Sequence, residues 1–390
     1  MSEYTFAKRV LHWCAVLAAA SVLVLICSGG LVTSHEAGMS VPDWPNSFGY
    51  NMFLFPISRW VGGVFFEHTH RLIASAVGLL TVMLCIALYR IDDRRWVKTL
   101  GLIAVGAVIL QGVLGGLRVT ENNALLGLFH GCLAQGFFAL MATIALATSR
   151  FWRNLERTGN EQTSQSAPAI RAISTSADAP AFGSSLPIAS HQSPPGPQRS
   201  PVNSHRLRSL RLWSLAVTAM VFLQLVLGAS MRHSHAGLSI TDFPLSYGRI
   251  FPPLDAPSVA GINEMRGAAA QPYTSAGLIL LQYVHRIWAI FIVAGIGLTA
   301  TRLLRDKSMP VFFRRLAAVW IGLVIAQFCL GAWTVLSNKA ADIATAHVAF
   351  GALTLVTGVL LWVGLTGLLL SRSTELLRPA VQRNIELGTV

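Results

Sequence analysis

Long apolar stretches separated by short polar segments dominate the chain. Eight of them can be marked, and each is long enough to cross a bilayer at about 20 residues per crossing. They lie at roughly 10–32, 64–89, 97–117, 125–148, 212–231, 277–301, 316–336 and 344–370. The pattern therefore predicts an all-α integral membrane protein with eight transmembrane helices.

The segment between the fourth and fifth apolar stretches has a different composition. Residues of about 158–205 are rich in Ser, Pro, Ala, Gln and Thr and contain almost no large apolar side chains. Such a segment buries too little surface to fold alone. We therefore predict a four-helix unit over 1–150, a disordered linker over 151–211, a second four-helix unit over 212–372 and a tail over 373–390.

The two four-helix units share polar, Pro and Gly positions in register. Residues 29–49 match residues 228–248, and later matches are His70-Arg71 with His285-Arg286, Gln111 with Gln327, and His130 with His347. The offset grows from 199 to 217, which predicts a longer second outer loop. Because each unit has an even number of helices, we expect two parallel repeats related by a pseudo-twofold axis along the membrane normal.

Composition agrees with a membrane protein and explains the charge. Hydrophobic residues make up 53% of the 390 positions and charged residues only 12%, which excludes a soluble globular, disordered or coiled-coil protein. The net charge of +13 could suggest nucleic-acid binding, but 22 of the 30 Lys and Arg residues lie on one side of the predicted membrane. By the positive-inside rule, that side and both termini are cytoplasmic, and no nucleic-acid partner is expected.

Four histidines lie near the outer ends of the second, fourth, sixth and eighth apolar stretches. Ionisable side chains are costly inside a bilayer, so their default interpretation is functional. One histidine alone could equally be a core residue bonded to a neighbouring helix, but four at matching positions favour ligands. Pairs of neutral imidazoles suit the axial positions of a b-type haem; zinc or copper would also accept histidine, but no third ligand is in register. The candidates are His70 and His130 in the first unit and His285 and His347 in the second.

Two arginines and one carboxylate accompany these histidines. Arg71 and Arg286 directly follow His70 and His285 on the cation-poor side, where they could bind haem propionates or snorkel to lipid headgroups. Glu67 lies one helical turn before His70, whereas Gln282 occupies the matching place in the second unit. This asymmetry predicts a reactive site in the first unit and a structural or electron-relay haem in the second. Glu67 could instead be a helix-start residue favoured by the helix dipole.

These residues together resemble the haem A synthase (CtaA-type) family. The resemblance rests on the motif Glu67-His68-Thr69-His70-Arg71, on the two loops of pattern Ala-Gly-x-Ser-x-x-Asp-aromatic-Pro, and on His130, His285-Arg286 and His347. It covers both units but not the linker. It implies an enzyme that oxidises the C8 methyl of haem O to the formyl of haem A for terminal oxidases. It also implies that His285 and His347 ligate a haem b cofactor, His70 and His130 hold the substrate haem O, and Glu67 is the catalytic carboxylate.

The resemblance also sets expectations for partners and location. The expected partners are haem O, the haem O synthase, an electron donor that the sequence does not identify, and the lipid bilayer. A homo-oligomer is left open. No transit peptide is visible, so a bacterial cytoplasmic membrane is expected. Many bacterial members carry a cysteine pair beside the Asp-Trp-Pro loop, where this chain has Val41 and Ser47, so no thiol role is expected.

Two other functions remain open on the residues alone. One is a non-catalytic di-haem cytochrome b that passes electrons from a quinol, and the other is a transporter with a histidine-lined site at the repeat interface. Electron transfer alone would not need a carboxylate in only one unit. The difference between Glu67 and Gln282 therefore favours an enzyme.

Overall fold

The computed structural model describes residues 5–157 and 204–376, and the secondary structure of these residues is helical without a strand. Ten α-helices are present in this part of the chain. They are α1 (Phe6–Ser34), α2 (Gly62–Ile91), α3 (Arg95–Thr120), α4 (Ala124–Thr148), α5 (150–157), α6 (Ser204–His233), α7 (Ala256–Ala268), α8 (Ala276–Arg305), α9 (Val311–Leu336) and α10 (Ala341–Leu376).

Eight of these helices are long and apolar enough to cross a membrane, which confirms the predicted multi-pass α-helical class. They are α1 to α4, α6 and α8 to α10, and each contains one predicted apolar stretch. Their mean hydropathies over the most apolar window run from 1.6 to 2.4. Helix α4 coincides with its predicted stretch to within one residue, and the other seven extend beyond theirs at one or both ends, because capping and interfacial residues continue the helix past the apolar positions.

Both ends of the predicted linker are helical, whereas residues 158–203 lie outside the described residues, as does the tail from 377. Helix α6 begins at Ser204, and its early residues Leu207 and Leu210 are buried. Helix α5 is attached to the bundle by ion pairs: its Arg153 donates to Asp92 (2.6 Å), and its Glu156 accepts from Arg94 (2.8 Å), which also donates to Asp92 (2.7 Å). Burial would raise the pKa of Asp92, but the Arg94 hydrogen bonds and both arginine charges hold it below its usual value.

Two hydrophobic cores lie side by side. The first is built from α1 to α4 and the second from α6, α8 and α9. Helix α10 supplies residues to both, with Ala352 and Val356 in the first core and Leu355 and Leu361 in the second. Burial of these apolar side chains stabilises the helix contacts. Helix α10 is accordingly the most buried of the membrane-spanning helices.

The connections 35–61, 121–123, 234–275 and 337–340 lie at one end of the bundle, which we call the site end. The second long connection contains α7, which no sequence pattern predicted beyond a longer loop. Asp255 caps its first turn through the Ser258 N–H (3.0 Å), and Arg266 donates to Leu238 O (2.9 Å) and Pro272 O (2.7 Å). These contacts fix α7 against the neighbouring loop.

Candidate functional site

The four predicted histidines lie in the first halves of four helices that begin at the site end. His70 lies in α2, His130 in α4, His285 in α8 and His347 in α10. The structure brings them together as two pairs, because His70 lies near His130 and His285 lies near His347. The first pair lies on two helices of the N-terminal half of the chain, and the second pair lies on two helices of the C-terminal half.

Every imidazole of this set packs against a glycine of a neighbouring helix. A Cβ atom added at these glycines would come within 3.0–3.3 Å of the ring Cε1 atom, closer than ordinary van der Waals contact. Glycine therefore provides the space in which each ring is held at a fixed distance from the adjacent backbone. The glycine and histidine partners are Gly29 with His70, Gly115 with His130, Gly228 with His285, and Gly331 with His347.

The hydrogen bonds of these rings are incomplete. The buried Nδ1 atoms of His130, His285 and His347 have no hydrogen-bond partner, whereas His70 Nδ1 lies 3.2 Å from Ser28 Oγ. A buried polar atom without a partner is costly, and a bound group is one way to compensate. The rings themselves are half-buried and so retain an accessible face.

The donor set of each pair fits a bis-histidine haem. Among residues 5–157 and 204–376, no group of three or more His, Cys, Asp or Glu side chains could hold a metal ion. Two neutral imidazoles complete the six-coordinate iron of a haem, whose porphyrin supplies the other four ligands. A zinc or copper site would need further protein ligands.

Two similar loops cover the site end of the histidine helices. Asp43 accepts from the N–H groups of Phe48 (2.7 Å) and Gly49 (2.8 Å), and Asp242 does the same for the residues at 247 (2.7 Å) and 248 (2.9 Å). Gly49 has a φ of +77°, which glycine adopts readily. Burial raises the pKa of Asp43, but the Gly49 and Phe48 N–H groups and the Arg71 charge hold it below its usual value.

Glu67 and Gln282 make the same backbone contact with these loops. Glu67 is 4% exposed, and its Oε2 atom accepts from the Val41 N–H (2.9 Å). Gln282 is 1% exposed, and its Oε1 atom accepts from the Ile240 N–H (2.6 Å). The Gln282 amide also donates to loop carbonyls. The two residues therefore share a loop-anchoring role and differ in charge.

Arg71 and Arg286 also attach the loops. Arg71 donates to Val41 O (2.8 Å), Asp43 O (2.7 Å) and Asn46 O (3.0 Å), and to Glu67 Oε1 (2.8 Å). Arg286 donates to Leu245 O (3.0 Å) and Ile240 O (3.3 Å). A contact of either arginine with a haem propionate stays a prediction, and it would compete with these bonds.

Three residues near the two histidine pairs were not predicted from the sequence as site residues. His68 is fully buried beside Glu67, with Nδ1 3.2 Å from Ser47 Oγ and its ring against Trp60 (4.8 Å between centroids). The others are Arg118, which packs on Gly127 in the helix that carries His130, and Arg232, which donates to Gly30 O next to the glycine that packs on His70. The sequence does mark the two arginines in one way: like Arg71, each is a cation on the side of the membrane where basic residues are scarce.

The sequence of this chain matches a known protein family over most of its length. A family model described as COX15-CtaA, cytochrome oxidase assembly protein, matches residues 12–177 and 186–359. These ranges include all four histidines, both loops, Glu67 and Gln282.

Curated relatives agree with the family match. A heme A synthase of Symbiobacterium thermophilum is 27% identical over 318 residues, 80% of this chain and 81% of the relative. A heme A synthase of Alkalihalophilus pseudofirmus is 25% identical over 247 residues, 62% of this chain and 66% of the relative. One of a Caulobacter species is 31% identical over 147 residues, 38% of this chain and 40% of the relative.

Proposed function

The chain belongs to the COX15-CtaA family of cytochrome oxidase assembly proteins, and we propose that it is a haem A synthase. The reaction would be oxidation of the C8 methyl group of haem O to the formyl group of haem A. Relatives named heme A synthase align over both halves of the chain and favour this function over a non-catalytic cytochrome. The observation that carries the proposal is the pair of similar histidine sites with a carboxylate in only one.

We assign the two histidine pairs different ligands. His285 and His347 would hold a haem b cofactor, and His70 and His130 would hold the substrate haem O. The glycine beside each ring and the arrangement of the four rings as two pairs support iron ligation at these positions. When bound, haem b supplies one-electron transfer.

Glu67 is the residue we propose to act on the substrate. It lies on the same face of α2 as His70, one turn closer to the helix start. Its two oxygens accept hydrogen bonds from Arg71 and from the Val41 N–H, which hold the carboxylate at a fixed position in a buried setting. A fixed buried carboxylate can accept a proton at Oε1 or Oε2 or stabilise a positive charge that develops beside it.

The location follows from the helices and the relatives. Eight apolar helices indicate a multi-pass membrane protein, and the relatives named above are bacterial. We propose the bacterial cytoplasmic membrane, with both termini in the cytoplasm because basic residues are concentrated on that side. The histidine sites then face the opposite side. The haem O synthase, an electron donor and a second copy of the chain remain proposed partners.

Pigment extraction tests the proposed function. The full chain would be co-expressed with a source of haem O in a host without its own haem A synthase, and the haems would be extracted and separated by chromatography. We expect haem A or its alcohol intermediate. Haem O recovered unchanged, with haem b alone bound to the purified protein, would instead identify a cytochrome.

A glycine substitution tests the C-terminal haem site. Gly331→Val should weaken haem b binding by about tenfold, which corresponds to about 1.4 kcal/mol. The reason is that a Cβ atom at this position already lies 3.0 Å from His347 Cε1, so a branched side chain must displace the ring. Gly322→Val on the same helix is the matched control, because nothing lies within 4 Å of its Cβ position. Equal haem b affinities in the two variants, measured by absorbance titration, would contradict the assignment.

A further inference from the structure

Positive side chains are concentrated where the site ends of the two units meet. The Arg118 guanidinium of α3 lies directly on Gly38, so close that a Cβ atom there would overlap it. Its Nε atom also lies 3.2 Å from the Cβ position of Gly127 in α4. The ring of His233 in α6 lies 2.6 Å from the same position. Gly127 therefore brings an arginine of the first unit next to a histidine of the second.

Arg232 extends this group across the same junction. Its Nη2 atom donates to Gly30 O (2.6 Å) and Ser34 Oγ on α1, although Arg232 itself belongs to α6. His233 directly follows Arg232, and its ring and the Arg118 side chain both lie against Gly127, so the three side chains lie together. We call Arg118, Arg232 and His233 the junction cluster.

The junction cluster has no matching negative charge. Within the described ranges, neither arginine forms an ion pair with a carboxylate, in contrast to Arg71 and Arg94. Glu67 acts on Arg118 electrostatically, but its oxygens are already bonded to Arg71 and Val41. Cations removed from water and held near one another are costly without a bound anion.

The two arginines are not part of the framework that the units share. In the sequence match, Arg118 corresponds to Thr334, and Arg232 corresponds to Thr33. Arg71 and Arg286, by contrast, occupy matching positions and both bind loop carbonyls. A role in folding common to both units therefore does not explain Arg118 or Arg232.

The position of the cluster relative to the histidine pairs indicates its ligand. Arg118 packs on Gly127, three residues before His130 in α4. Arg232 donates to Gly30 O, next to the Gly29 that packs on His70, and the Cβ position of Gly30 lies 2.9 Å from Thr345, two residues before His347. An anion bound here would thus lie close to both pairs. Haem carries two carboxylates on one edge of its ring, and guanidinium groups bind carboxylates through charge-assisted hydrogen bonds.

We propose that the junction cluster binds the propionate carboxylates of the haems held by the two histidine pairs, with Arg118 serving the first pair and Arg232 the second. This inference rests on the proposed function for the presence of haem. It assigns the propionates to residues other than Arg71 and Arg286, whose two terminal nitrogens both bond to their own loops, whereas the bonds of Arg232 use only Nη2.

Binding of haem with and without free propionates tests the proposal. The full chain, purified from a haem-deficient host, would be titrated with haem b and with its dimethyl ester, and the ratio of the two affinities measured by absorbance. We expect wild type to prefer the free acid. The double variant R118Q/R232Q should lower this preference by about 10- to 100-fold, as expected for lost charge-assisted hydrogen bonds. R118K/R232K, which keeps both charges, should retain most of it.

An exposed cation supplies the control. Arg249 lies on the same end of the molecule outside the cluster, and R249Q should keep the wild-type preference. Because each preference is a ratio within one variant, a general loss of haem affinity does not imitate the effect. An R118Q/R232Q protein with the wild-type preference, or a wild type without one, would overturn the proposal. A wild type that binds neither haem would overturn the proposed function as well.

Discussion

Replacement of Glu67 with Gln should lower the conversion of haem O to haem A by about 10²–10⁴-fold, the range typical of a positioned acid–base group. The haem b content of the purified protein should stay near that of wild type. The expectation follows from what Gln282 does in the second unit. There a neutral amide accepts the loop N–H at 2.6 Å and is as deeply buried as Glu67.

The loop around Val41 should therefore survive the substitution. A glutamine at position 67 can still accept the Val41 N–H through its oxygen and donate to loop carbonyls, as Gln282 donates to Gly237 O (3.0 Å). What disappears is the negative charge beside His70 and the ion pair with Arg71. The experiment thus separates the charge of Glu67 from its role as a loop anchor.

The matched control is Gln282→Glu, which we expect to create no second active site. Conversion would be followed by chromatography of extracted haems, with protein level and haem b content measured on the same samples. Full activity in Glu67→Gln would show that the carboxylate is dispensable. The difference between Glu67 and Gln282 would then carry no functional meaning, and the cytochrome function would gain support.

Hydropathy was sufficient to predict the membrane helices but not the short ones. Runs of about 20 apolar residues have few alternatives to a membrane-spanning helix, so all eight were found. Helix α7 has only 13 residues and a mixed surface, and its stability depends on contacts of Ile262 and Arg266 with residues distant in sequence. Helix α5 similarly depends on the ion pairs of Asp92. Such tertiary contacts leave no periodic pattern.

The parts of the candidate site that could be predicted are the residues that occur at matching positions in both units. Matching histidines in both units stood out because an ionisable side chain in an apolar helix is rare. The loop contacts of Glu67 and Arg71 could not be foreseen, since they join a helix to a backbone more than twenty residues away. Arg118 and Arg232 each occur in only one unit, so the repeated positions do not include them.

The loops connect the proposed chemistry to the architecture of each unit. Asp43 organises the turn around Gly49, Arg71 holds the carbonyls of the same loop, and Glu67 binds both the loop and Arg71. A single network thus joins the loop to the helix that carries His70. In the second unit the network has the same backbone contacts without the carboxylate, which is the arrangement expected of a cofactor site that needs a fixed haem but no reactive side chain.

Loss of either C-terminal histidine should abolish the bis-histidine absorbance spectrum of the purified protein. His285→Ala and His347→Ala each remove one proposed axial ligand of haem b, and a single remaining imidazole cannot complete a low-spin six-coordinate iron. The structure makes replacement by a neighbour difficult, because no third His, Cys, Asp or Glu joins either pair among the described residues. The measurement is the reduced-minus-oxidised spectrum at equal protein concentration.

His12→Gln is the control that separates ligand loss from the loss of any membrane histidine. His12 lies in α1, and its Nδ1 atom is 3.1 Å from Ala145 O, a contact that the glutamine amide can replace. This variant should keep the wild-type spectrum, whereas both C-terminal variants should lose it. His70→Ala should leave the haem b spectrum in place, because His70 belongs to the other pair. An unchanged spectrum in both His285→Ala and His347→Ala would mean that haem b has other ligands, and the assignment of cofactor and substrate to the two units would fail with it.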